Sequence, residues 1–127
     1  MRYIIDTQAF IWYAIGDRQL SKTALEIIES DSIRYISIAS LWEMSIKSSL
    51  GKLNFQVPFE ELILNQLAIN SYEILSLELS HVFQLAKLPL IHKDPFDRIM
   101  IAQAFTENIS IVSIDPHFQN YPVSVIW

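Results

Sequence analysis

The chain contains no cysteine, so disulfides, thiolate zinc sites and cysteine nucleophiles have no material. This fits a reducing compartment, and a cytoplasmic location is the default expectation. Glycine is nearly as scarce, with two residues in 127. A glycine-rich phosphate cradle of the GxGxxG or Walker kind is therefore absent. No apolar run approaches the ~20 residues that a membrane helix needs. Met1-Arg2-Tyr3-Ile4-Ile5 meets Asp6 too early to be the apolar core of a signal peptide. No membrane association is expected. Charge is sparse as well: 18% of residues are charged and the net charge is −5. An acidic balance counts mildly against nucleic-acid binding, whose footprint is usually basic. The objection weakens if several of the 14 acids sit on a metal ion.

What is abundant is apolar. Hydrophobic residues make up 51% of the chain, ample for a core and unlike a disordered segment. The length suits one domain, expected to span residues 1–127 as a single unit. A domain this small keeps much of its surface exposed. The apolar surplus therefore hints at a buried partner interface. There is no internal repeat, low-complexity tract or linker.

Short isoleucine- and valine-rich runs read as strands over residues 3–5, 34–37, 73–76 and 110–114, with a possible fifth over 123–126. Helices are expected over 7–15, ended by Gly16-Asp17, and over 21–30, capped by Ser21 with Leu25 and Ile28 on the apolar face. A third follows the second strand to Leu50 and stops at Gly51. Others run over 58–69, opened by Pro58, over 79–88, closed by Pro89, and over 95–107, opened by Asp94-Pro95. Strands alternating with helices predict an α/β fold: a parallel sheet of four to five strands covered by helices on both faces, with right-handed crossovers.

Asp6 directly follows the first strand and Asp115 the fourth. Ligands of open parallel sheets bind beyond the carboxyl ends of the strands, where strand order reverses. If strands one and four are neighbours there, the two aspartates face each other. Taken singly, each also suits a cap or turn, and Asp115 before Pro116 reads first as a turn. Asp94 suits the N-cap of the last helix and Asp97 its first turn. One acid is enough for capping, so Asp94 is assigned to the cap and Asp97 to the site. Glu43 sits among apolar neighbours in Leu41-Trp42-Glu43-Met44 and needs a partner. Lys47, one turn on, is slightly favoured over a metal ion. Mg²⁺ or Mn²⁺ takes hard oxygen ligands and keeps several waters, so a few carboxylates suffice. Such an ion neutralises a phosphodiester and activates water. Without it, two carboxylates 4 Å apart repel by about 4 kcal/mol at an effective dielectric near 20. A convergent cluster would thus point to a cation.

Asp6-Thr7, Trp42-Glu43, the run His92-Lys93-Asp94-Pro95-Phe96-Asp97-Arg98 with Ala102-Gln103-Ala104, and Ile111-Val112-Ser113-Ile114-Asp115 together resemble the PIN-domain nucleases. The set looks most like the VapC-type toxins of bacterial toxin–antitoxin pairs, and the likeness runs over nearly the whole chain. It implies a three-layer α/β/α sandwich and a Mg²⁺- or Mn²⁺-dependent endoribonuclease acting on RNA. It also implies a homodimer inhibited by a cognate antitoxin protein. Carried over by position, Asp6, Glu43, Asp97 and Asp115 form the acidic site, with Asp6 and Asp97 the firmest metal ligands. Asp115 would bind a second metal or orient water. Ser113 is then a supporting hydrogen-bonder, alongside Thr7 and the cap Asp94.

Arg98, Lys93 and His92 flank the acids and are candidate phosphate contacts; a salt bridge for Arg98 and a backbone hydrogen bond for His92 are the ordinary alternatives. His81 and His117 read as surface residues. Phe10-Ile11-Trp12-Tyr13-Ala14-Ile15 is apolar on every face. It is expected to take an antitoxin or second subunit as cover, with Trp12 as anchor, unless a loop packs over it. A receiver domain would want paired acids at the first strand end and a lysine after the fifth strand, and neither is present. A haloacid-dehalogenase-type phosphatase would want an acid at Gln8. A non-catalytic acidic Mg²⁺-binding or protein-interaction module is the remaining alternative.

Overall fold

The computed structural model describes residues 1–127. Its elements, in order, are β1 (Arg2–Ile5), α1 (Thr7–Ile15), α2 (Lys22–Ile28), β2 (Ile33–Ser37), α3 (Ile38–Ser49), α4 (Phe59–Asn70), β3 (Glu73–Leu75), α5 (Leu79–Lys87), α6 (Pro95–Glu107), β4 (Ser110–Val112), a 3₁₀ turn (Pro116–Asn120) and β5 (Val125–Ile126). The strands form one sheet in the order β3-β2-β1-β4-β5, and every pairing is parallel.

Side-chain alternation along the strands separates two apolar layers. Tyr3 and Ile5 of β1, with Ile36 and Val112, join Phe10, Ile28 and Ile63 from α1, α2 and α4. Ile4 and Ile111 point the other way, to Met100, Ile101 and Ala104 of α6. Helices thus cover both faces, and the fold is a three-layer α/β/α sandwich. Ile4, Ile5, Ile36 and Ile111 are wholly buried, and each such side chain contributes roughly 1.5–3 kcal/mol by leaving water.

Boundaries follow local chemistry. Gly16 takes φ +71° and closes α1 with its N–H on the Trp12 and Tyr13 carbonyls, a left-handed cap that costs other residues more. Ser37 ends β2 and caps α3, accepting from Ala39 N at 3.1 Å.

Several expectations are corrected. Ala24 and Ile28 form the buried face of α2, and Leu25 points outward. Only Ala9, Phe10 and Ile11 of α1 are buried. The segment through Asn54, Phe55 and Val57 forms a groove with Ala14 and Ile15, and Trp12 packs against Trp127 with ring centres 6.0 Å apart. The chain itself therefore covers much of that helix, and Ile15 remains exposed. His81 is buried, not on the surface. Its Nδ1 accepts from Glu78 N at 2.9 Å and its Nε2 lies 3.1 Å from Glu107 Oε2, tying the start of α5 to α6. β4 ends at Val112, so Ile114 lies beyond the ladder and is half exposed.

Candidate active site

Chain order runs from β1 outward to β2 and β3, then returns to place β4 on the other side of β1. The reversal falls between β1 and β4, where an open parallel sheet forms its crevice. Asp6 leaves β1 there, its N–H still bonded to Val112 O at 3.1 Å. Its Oδ1 accepts from Ala9 N at 2.8 Å and caps α1. The capping role and a place in the crevice therefore coexist in one side chain. The Ser113 hydroxyl lowers the pKa of the Asp6 carboxylate, and its Oγ accepts from Asp115 N at 3.0 Å. Ser113 thus bears on both strand-end acids.

Asp94 caps α6, with Oδ1 accepting from Phe96 N at 2.9 Å and Asp97 N at 3.0 Å. This fixes the first turn from which Asp97 projects. Deeper in α6, Gln103 accepts from the Ser37 hydroxyl and donates to the carbonyls of Leu75 and Ser76 at 3.3 and 3.2 Å. That wholly buried amide pins α6 to the ends of β2 and β3. Glu43 comes from the middle of α3, buried, with Oε2 3.1 Å from Lys47 Nζ. It pairs with Lys47, the partner slightly favoured in sequence, and lines the same cleft as the other acids.

Asp6, Glu43, Asp94, Asp97 and Asp115 line one cleft of about 340 Å³ with Lys47, Thr7 and Gln8. No three acids close into a tight ligand cage. The electrostatics are unfavourable without a cation. Burial, set against the bonds from Ser113 and Ala9 and reinforced by the charges of Asp115 and Glu43, raises Asp6 to about 6. Burial and the charges of Asp94, Asp115, Glu43 and Asp6 raise Asp97 to about 7. An all-oxygen donor set that is proton-hungry and loosely spaced fits a hard divalent ion that retains waters.

The candidate phosphate contacts fare differently. Arg98 is turned into the protein: it is buried and donates to Pro89 O at 2.9 Å and Tyr121 Oη at 3.0 Å. It makes no salt bridge. His92 is bound on both ring nitrogens, 2.7 Å from Tyr121 Oη and 3.3 Å from Asp97 Oδ2. Burial and neighbouring His117 hold it below the ordinary imidazole range. Lys93 is exposed. The cation that does line the cleft is Lys47. His117 is largely exposed as expected, yet its ring stacks on His92 with centres 4.9 Å apart, and its Nδ1 lies 2.9 Å from Asp115 Oδ1. Tyr121, the hub of this group, carried no signal in sequence, because its partners lie 23 and 29 positions away.

A fold of this kind is known. A chain of VapBC2 from Rickettsia felis, solved bound to a DNA fragment from their promoter, superposes with a TM-score of 0.77 at 16% identity, covering 99% of this chain and 98% of that one. A chain of DNA-bound VapBC from Salmonella typhimurium gives 0.68 at 14%, covering 99% and 97%. A chain of FitAcB from Neisseria gonorrhoeae gives 0.68 at 15%, covering 98% and 96%. No curated protein sequence matches significantly. The model of the PIN domain family matches residues 3–123, nearly the whole sheet and every acid of the cleft, and the chain belongs to that family.

Proposed function

We propose that this chain is a Mg²⁺- or Mn²⁺-dependent endoribonuclease, the toxin of a VapC-type toxin–antitoxin pair. The observation that carries the catalytic half is the convergence of Asp6, Glu43, Asp97 and Asp115 on one cleft, where burial and the neighbouring carboxylates raise Asp6 to about 6 and Asp97 to about 7. Membership of the PIN family supports nuclease chemistry. The assemblies named VapBC2 and FitAcB, whose chains share the fold, support an antitoxin protein as partner.

Asp6 and Asp97 would hold the ion, and Glu43 and Asp115 would complete its surroundings or orient water. When bound, the ion neutralises a phosphodiester oxygen and lowers the pKa of a water. The chain's own groups do the rest. Ser113 and Ala9 N fix Asp6, and the Asp94 cap fixes Asp97. Thr7 borders the cleft as a further hydrogen-bonding group. Lys47, held 3.1 Å from Glu43, offers positive charge to an incoming phosphate that four carboxylates would otherwise repel. The exposed side chains of Trp42, Leu79 and Phe83 supply apolar surface for a homodimer or an antitoxin.

The test is RNA cleavage by the purified chain freed of partners, in Mg²⁺, Mn²⁺ or EDTA. Cleavage with either metal and none with EDTA is expected. Cleavage that persists in EDTA would remove the metal from the mechanism. Failure to bind Mn²⁺ at the acid cluster would sink the nuclease function.

A further inference from the structure

Arg98, Tyr121 and His92 are tied together beside the cleft without lining it. Arg98 is 9% exposed and Tyr121 4%. Arg98 Nη1 donates to the Tyr121 phenol oxygen at 3.0 Å, and the backbone N–H of His92 donates to the same oxygen at 3.3 Å. A phenol has one proton and a limited accepting capacity. With two donors already on its oxygen, Tyr121 directs its own proton to the remaining neighbour, His92 Nδ1, at 2.7 Å. Nδ1 is then the bare nitrogen, and Nε2 carries the ring proton, because the bond at one imidazole nitrogen sets the state of the other. Nε2 lies 3.3 Å from Asp97 Oδ2. His117 stacks on the same ring at an interplanar angle of 9°, which holds its plane.

We propose that Arg98, Tyr121 and His92 form a positioning chain for Asp97. Tyr121 imposes the Nε2–H tautomer on His92, and that N–H engages Oδ2 so that the other carboxylate oxygen is presented to a cation in the cleft. This rests on Asp97 being a metal ligand. It also accounts for an arginine buried beside the cleft: Arg98 acts on the tyrosine, not on a substrate. Outer partners of this kind typically change metal affinity 10–100-fold.

The experiment uses the full chain without RNA, with two readouts. Imidazole ¹⁵N NMR of the metal-free protein should show His92 as the Nε2–H tautomer, and Tyr121→Phe should lose that single tautomer. Calorimetric Mn²⁺ titration should show affinity reduced roughly 10-fold or more in Tyr121→Phe and His92→Leu. His92→Gln, whose amide N–H can still reach Asp97, should recover part of it. An Nδ1–H tautomer in the unmodified chain overturns the proposal even if every variant fails to fold. So does unchanged Mn²⁺ affinity in a folded Tyr121→Phe. An unmodified chain that binds no Mn²⁺ is a separate failure, which removes the metal function on which the proposal stands.

Discussion

Replacing Asp97 with asparagine tests whether burial and the neighbouring carboxylates make its charge costly to the fold. In the metal-free fold the Asp97 carboxyl is raised from 3.8 to about 7, first by burial and then by Asp94, Asp115, Glu43 and Asp6. At 1.36 kcal/mol per pKa unit that rise sets a ceiling of about 4 kcal/mol. The side chain is 20% exposed, and solvent relaxation reduces the effect to about 1–2 kcal/mol. Because the folded pKa is the higher one, the native state holds a proton that the unfolded chain has lost between about pH 4 and 7. Stability of the metal-free protein therefore falls as pH rises through that window. Asp97→Asn removes the charge while keeping the shape. It should raise the metal-free melting temperature at pH 7.5 by about 3–8 °C and flatten the pH slope. Saturating Mn²⁺ should reverse the order, since a ligand at 100 times its Kd stabilises the unmodified chain by about 2.7 kcal/mol and the variant binds it poorly. Thermal melts over pH 4–8, with and without Mn²⁺, read all three effects. A lower metal-free melting temperature in Asp97→Asn would refute the reasoning and leave Asp97 as a structural element of the α6 start.

Asp6→Asn should abolish metal-dependent RNA cleavage while α1 stays capped, because the amide oxygen can still accept from Ala9 N; retained cleavage would remove Asp6 from the chemistry. Asp6→Ala should additionally cost about 1 kcal/mol of stability in denaturant melts. Lys47→Gln should raise KM for RNA several-fold and weaken the salt dependence of binding, and an unchanged KM would confine Lys47 to pairing with Glu43. Gln103→Ala strands the Ser37 hydroxyl and two strand-end carbonyls, so urea unfolding should show a loss of about 2–3 kcal/mol; a loss below about 0.5 kcal/mol would mean that water replaces the amide.

Local rules settled much of this molecule before any tertiary information. Period and punctuation located the five strands and the six α-helices, since most of the strands are short Ile/Val-rich runs and each helix begins or ends at Gly16, Ser21, Gly51, Pro58, Pro89 or Asp94-Pro95; the 3₁₀ turn at Pro116–Asn120 was not foreseen. Local position singled out Asp6 and Asp97, whereas Asp115 read first as a turn and Glu43 first as a partner of Lys47, and only the family resemblance joined those two to the set that lines one cleft. Leu25 was misplaced because a seven-residue helix is too short for its apolar stripe to be read by period. His81 was taken for a surface residue because its partner Glu107 is 26 positions away.

Sequence alone thus determined the alternation of elements and the inventory of carboxylates, since both depend on neighbours within a turn or two. Only the tertiary structure decided that β1 lies beside β4, which brings Asp6 to Asp115. It also decided that Arg98 turns inward to Tyr121, leaving Lys47 as the cation in the cleft. Those outcomes depend on which distant segments meet, and long-range packing fixes that where local propensity cannot.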